Sequence, residues 1–207
     1  CHRDEASMLA VPEQFKPEDR AIGFLVAKEL DILATLLGAP KSPMIAVMGG
    51  AKVSDKILLI ENMLPRVDKL LVGGAMTYTF LKAQGHSTGK SRVEADRLAE
   101  AAHILALAGE KLVLPVDHLV ADGIEATART QVIVGSDIPE GLFGLDIGPE
   151  TIKMYAAIIE SAGTVVWNGP MGKFEDEPFR AGTLGVADAL SRSKGVTVVG
   201  GGETAEA

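Results

Sequence analysis

Cysteine is almost missing: Cys1 is the single thiol in 207 residues. No intramolecular disulfide can form, which fits a reducing compartment and a cytoplasmic location. Aromatic residues are scarce at 4%, so the core must be built from Val, Ile, Leu and Ala, a composition suited to a buried parallel sheet. No apolar run approaches the ~18 residues of a membrane span, and there is no secretory signal pattern. Lys and Arg number 20 against 28 Asp and Glu, a net charge of −8, so the chain lacks the basic face that nucleic acid requires. Two phosphate motifs are absent as well, the G-x-x-x-x-G-K-[ST] loop and the G-x-G-x-x-G fingerprint. His86, His103 and His118 have no metal-ligand spacing with one another or with Cys1. Without a G-x-S-x-G elbow, a hydrolase triad has no support.

What the chain does contain is an alternation of short apolar runs and helical segments. "MIAVM" (44–48), "KLLVG" (69–73), "KLVLPV" (111–116), "QVIVG" (131–135), "TVVWN" (164–168) and "VTVVG" (196–200) read as strands, most of them apolar on both alternating faces as for strands covered by helices on each side. Between them, Val53, Ile57, Ile60, Leu64 and Val67 form one helical stripe. "SRVE" (91–94) reads as a capping box for a helix stopped by Gly109. Pro149 opens another helix that Gly163 stops, and a further one ends at Gly195. The expected fold is α/β, a doubly wound parallel sheet of six strands with helices on both faces in three αβα layers. Residues 1–19 look like a connector, and 20–207 like one domain entered through a helix over 20–38. The chain opens on "CHRDEAS" without an initiator Met and stops on "GGGETAEA" as a helix should start. Truncation at both ends is expected.

Ligands of open parallel sheets bind beyond the C-terminal strand ends. Here "MGGAKVSDK", "VGGAMTYTF", "VVWNGPMG" and "VVGGGET" each place glycine directly after a strand, where it permits a tight turn and leaves backbone N–H groups open to a ligand. Lys52 and Lys56, at i and i+4, are expected on one face of a helix's first turn. A helix N-terminus disfavours cations, so the pair points to a bound polyphosphate; solvated surface lysines are the plain alternative. Glu203 could help to hold a Mg2+ carried by such phosphates or simply favour the helix dipole. Glu175 could accept from a ribose or stand exposed, and Asn168 offers neutral donors at a strand end. Trp167 continues an apolar strand and reads as core.

The segments "GGAKVSDKI", "GGAMTYTFLKAQG", "GKSRVEAD", "LPVDHLVAD", "IPEGLFGLDIGPETI", "VVWNGPMGKFE" and "VVGGGET" resemble successive motifs of the phosphoglycerate kinases, in family order and from about residue 20 onward. The resemblance implies two Rossmann-like domains. It also implies reversible phosphoryl transfer between 1,3-bisphosphoglycerate and MgADP, a phosphotransferase reaction with a carboxyl acceptor, and a monomer when full length. This chain matches the nucleotide-binding domain. By motif, Lys52 and Lys56 would contact nucleotide phosphates as catalytic cations, with Lys56 nearest the transferring group. Gly50 and Ala51 would line the nucleotide, Gly74 the adenine slot, and Asn168 with Pro170 the triphosphate and nucleoside. Glu175 would bind the ribose, Gly201, Gly202 and Thr204 the β-phosphate, and Glu203 the Mg-nucleotide. His2 and Arg3 match the glycerate side. Glu203 replaces a usual Asp, Ala75 a usual Gly, and Glu5 a usual His, where an acid would repel the substrate phosphate. Nucleotide binding without catalysis, as a module or an inactive fragment, remains the second reading, and a structural domain with vestigial glycine loops the third.

Overall fold

The computed structural model describes residues 6–7 and 9–206. The chain divides into two compact units, Cys1–Pro40 and Lys41–Ala207. The first contains helix α1, Phe24–Gly38, whose Phe24 and Leu25 are exposed. The second unit carries the sheet.

Five strands form that sheet: β1 (Met44–Met48), β2 (Lys69–Val72), β3 (Leu112–Val113), β7 (Thr164–Asn168) and β8 (Val196–Gly200). They lie in the order β3-β2-β1-β7-β8, and each neighbouring pair is parallel. All five residues of β1 are buried. Alternation then sorts the side chains into two layers. Met44, Ala46 and Met48 face a cluster with Ile60, Phe80 and Ile104 from α2 (Ile57–Met63), α3 (Met76–Ala83) and α4 (Leu98–Ala108). Ile45 and Val47 face Tyr155, Ile159 and Val186 from α5 (Pro149–Glu160) and α6 (Ala181–Arg192). Trp167 lies in this second cluster, as core. The α/β class with helices on both faces is therefore as the sequence implies.

The strand count is corrected from six to five. "QVIVG" joins not the parallel sheet but an antiparallel one, ordered β5-β4-β6, from β4 (Asp117–Ala121), β5 (Thr130–Val134) and β6 (Phe143–Ile147). Its Val132 and Val134 are exposed at 45% and 83%, so the β-branched run marks a one-sided edge strand. "KLVLPV" contributes only Leu112 and Val113 to the parallel sheet. The expected capping box is also absent: α4 starts at Leu98 after a 3-10 turn over Ala95–Arg97, and Ser91 Oγ accepts from Gly144 N–H.

Two buried aspartates join the small sheet to the α5–α6 layer. Asp117 Oδ1 accepts from Thr151 N–H at 2.8 Å and Oδ2 from Glu150 N–H at 2.9 Å. This carboxylate from another element caps the first turn of α5. Asp146 Oδ2 accepts from Gly182 N–H at 2.6 Å, in the first turn of α6. Alongside it, Met171 N–H donates to Thr183 Oγ1 at 3.0 Å and Lys173 N–H to Leu145 O at 2.9 Å, fixing the loop after β7.

Two outcomes follow from these aspartates. Asp117→Ala leaves the buried Thr151 N–H and the part-buried Glu150 N–H without their acceptor and should cost ~2 kcal/mol, seen as a lower urea midpoint; an unchanged midpoint contradicts the capping role. Burial pushes the Asp146 carboxyl up to about 7, against the lowering by Gly182 and Ile147 N–H. Because this exceeds the unfolded value of ~3.9, its contribution to stability is full below that value and is lost as pH rises through about 7. Asp146→Asn keeps an acceptor for Gly182 and cannot ionise. Melting curves should show the variant gaining on wild type between pH ~4 and ~7, whereas parallel profiles contradict the shift.

Candidate functional site

Register places the strand ends at one level. Met48 pairs with Val72 on one side and Asn168 on the other, and Asn168 pairs with Gly200. The loops starting at Gly49, Gly73, Gly169 and Gly201 therefore leave one edge of the sheet. From β1 the chain builds outward through β2 and β3 on one side, while β7 and β8 lie on the other. The gap between the loops after β1 and β7 is the topological switch point, where open α/β sheets bind ligands.

At that point backbone packs directly on backbone. A Cβ on Gly49 would lie 2.0 Å from Pro170 O, and one on Gly169, whose φ is +98°, would lie 2.2 Å from Gly49 O. Gly49 N–H donates to Asn168 O at 3.1 Å, Gly50 N–H to Pro170 O at 3.0 Å and Gly74 N–H to Met171 O at 2.7 Å. Gly169 N–H donates to Thr204 Oγ1 at 2.7 Å. This corrects one expectation: at these positions glycine lets the loops interlock, and the N–H groups are already bonded inside the protein.

The lysines are also placed differently from expectation. α2 begins at Ile57, with Lys56 as its N-cap and Lys52 in the preceding loop. A turn joins them, in which Lys56 and Ile57 N–H both donate to Val53 O, at 2.8 and 3.0 Å. The Glu94 carboxylate accepts from the N–H groups of both Val53 and Ser54 in this turn. Lys52 is exposed and Lys56 half-buried. The Lys56 ammonium donates to Asn168 Oδ1, while Asn168 Nδ2 donates to Gly200 O at 2.9 Å. Burial lowers the Lys56 pKa, and the charges of Asp55 and Glu203 oppose that shift. Glu203 is exposed on α7 (Gly202–Glu206).

Lys56, Asn168, Gly50, Gly74, Pro170 and Thr204 thus share one contact network, with Glu203 linked through its charge. Ala51 and Gly201 are exposed on the same loops, and Gly202 is exposed at the start of α7. Glu175 is exposed beyond them, and among the described residues no contact ties it to this group. His2, Arg3 and Glu5 lie outside the described residues. Two contributors escaped sequence reasoning: Glu94 was concealed in an apparent helix cap, and Met171 supplies the carbonyl that accepts from Gly74 N–H, which no local pattern marks. A cavity of about 460 Å3 beside Leu105, Leu112, Leu114 and Val116 shares none of these residues.

Comparison with known proteins gives a consistent answer. The sequence profile of phosphoglycerate kinase matches residues 1–207. The phosphoglycerate kinase of Rhodopirellula baltica is 48% identical over 209 residues, covering 100% of this chain and 53% of the relative. That of Rubrobacter xylanophilus is 48% identical over 207 residues, covering 100% and 52%. The structure of phosphoglycerate kinase from Coxiella burnetii aligns with TM-score 0.86 and 44% identity, over 89% of this chain and 48% of that one. The enzyme from Pyrococcus horikoshii aligns with TM-score 0.78 and 33% identity, over 88% and 47%. The chain spans about half the length of the curated relatives it matches. The profile match along the whole chain and the shared fold show that it belongs to the phosphoglycerate kinase family.

Proposed function

We propose that this chain supplies the nucleotide side of the phosphoglycerate kinase reaction: phosphoryl transfer between 1,3-bisphosphoglycerate and MgADP to give 3-phosphoglycerate and MgATP. The observation that carries the reading is the half-buried Lys56 ammonium, held by Asn168 Oδ1 at the sheet's switch point among four glycine loops. An ammonium has three donors. One stays on Asn168 while the others are free to turn toward phosphate oxygens. Exposed Lys52 adds a second cation at the mouth of the same loop.

In phosphoryl transfer the protein mainly positions the groups and neutralises charge on the transferring oxygens. Lys56 stabilises that charge, Asn168 aims Lys56, and the Gly49–Pro170 contact fixes the distance between the two loops. Gly201 and Gly202 approach the β-phosphate with Thr204, whose hydroxyl also anchors the loop after β7. Ala51 and Gly74 line the base side and Glu175 meets the ribose. Magnesium suits this donor set: among the described residues no three metal-ligating side chains cluster, and Mg2+ is commonly held by one carboxylate plus substrate phosphates. Glu203 would provide that carboxylate, and the ion would supply charge neutralisation. His2 and Arg3 would face the glycerate.

The proposal extends to a cytoplasmic enzyme, monomeric when full length, acting on small molecules rather than nucleic acid. No helix of the described residues is long and apolar enough to cross a membrane. A calorimetric titration of the chain with MgADP should show binding that Lys52→Ala/Lys56→Ala weakens by ~100-fold or more, as for two lost charge-assisted bonds. Equal binding by the double variant, shown to be folded, would remove the lysines from the site. In the full-length enzyme, Lys56→Ala should lower kcat by ~100-fold or more.

A further inference from the structure

We infer that Glu94 is the positioning residue of the two-lysine turn: its carboxylate fixes Val53 and Ser54 so that Lys52 and Lys56 are presented to phosphate. This rests on the phosphate reading above. Glu94 Oε2 accepts from Val53 N–H at 2.5 Å and from Ser54 N–H at 3.1 Å, and Oε1 accepts from Ser54 Oγ at 2.6 Å. Every one of these bonds falls on the two residues next to Lys52, within the turn that ends at Lys56.

Glu94 is itself held. Its N–H donates to Thr79 Oγ1 at 3.1 Å, and Thr79 is 1% exposed on α3. The same helix is tied to the first glycine loop by Met76 N–H donating to Gly50 O at 3.0 Å. The contacts close a ring from Gly50 through α3 and Glu94 back to the turn. The Val53 side chain, fully buried in the core, pins the turn from below. Burial alone would raise the Glu94 pKa, but the bonds from Ser54 and Val53 and the Lys52 charge hold it below the usual range. The carboxylate is therefore the form that organises the turn, and Lys52 lies within its field.

A residue that only stabilised the fold would affect all ligands equally. A residue that aims the lysines affects only ligands carrying phosphate. The test compares ADP with adenosine in the full-length enzyme, for wild type, Glu94→Gln, Ser54→Ala and Lys56→Ala, each first shown to be folded by its melting transition. Glu94→Gln should weaken ADP about 10-fold while adenosine affinity stays unchanged, the size of one charge-assisted bond. Ser54→Ala removes one contact and should give a smaller loss of the same kind, about 3-fold; it carries the test if Glu94→Gln does not fold. Loss of ADP preference in Lys56→Ala with none in Glu94→Gln or Ser54→Ala overturns this inference and leaves the phosphate site standing. No loss in any of the three overturns both.

Discussion

The contact between the loop after β1 and the loop after β7 is the constraint on which the rest of the site depends. Gly49 lies against the Pro170 carbonyl so closely that any side chain there would overlap it. With the loops locked by Gly49 and Gly50 N–H, the distance from the α2 turn to Asn168 is set by backbone. Backbone is the stiffest part available. Lys56 can then reach Asn168 across the switch point, and Thr204 can reach back from α7 to Gly169. Loosening that contact would move both walls of the crevice while leaving the two hydrophobic layers beneath intact.

Charge in the site runs against charge in the chain. The protein carries a net −8, yet its crevice places two lysines near one helix start. Desolvation makes the Lys56 cation less favourable, and nearby Asp55 and Glu203 compensate only in part. A polyphosphate would complete the compensation, with a carboxylate already present on α7 to share a divalent ion. The overall acidity disfavours broad binding of polyanions.

Much of the sheet was legible because it obeys a simple rule. β1, β7 and β8 are apolar five-residue runs broken by glycine, and their limits fall where the sequence places them. Pro149 likewise marks the start of α5. The small antiparallel sheet was not legible. Its strands include Asp117 and Asp146, whose burial makes sense only once the N-termini of α5 and α6, 33 and 36 residues away, come to meet them. α2 starts at Ile57 and not within the apolar stripe at Val53: Val53 to Lys56 form a turn, held from Glu94, 41 residues along the chain, which no local pattern marks. The loops themselves stood out through their glycines and lysines. Individual roles for Thr204 or Gly74 came from family resemblance, because nothing local distinguishes a ligand contact from a turn.

The central claim is that phosphate is bound at this switch point. The most direct measurement is an amide NMR map of the isotope-labelled chain titrated with MgADP and, separately, with adenosine. The account predicts that MgADP perturbs the amides of Gly50–Lys56, Asn168–Gly169 and Gly201–Thr204, and that adenosine leaves Lys52–Lys56 and Gly201–Thr204 largely unmoved. Perturbation by MgADP confined to other surfaces, such as the edge strand Thr130–Val134 or the cavity beside Leu105 and Val116, would contradict it.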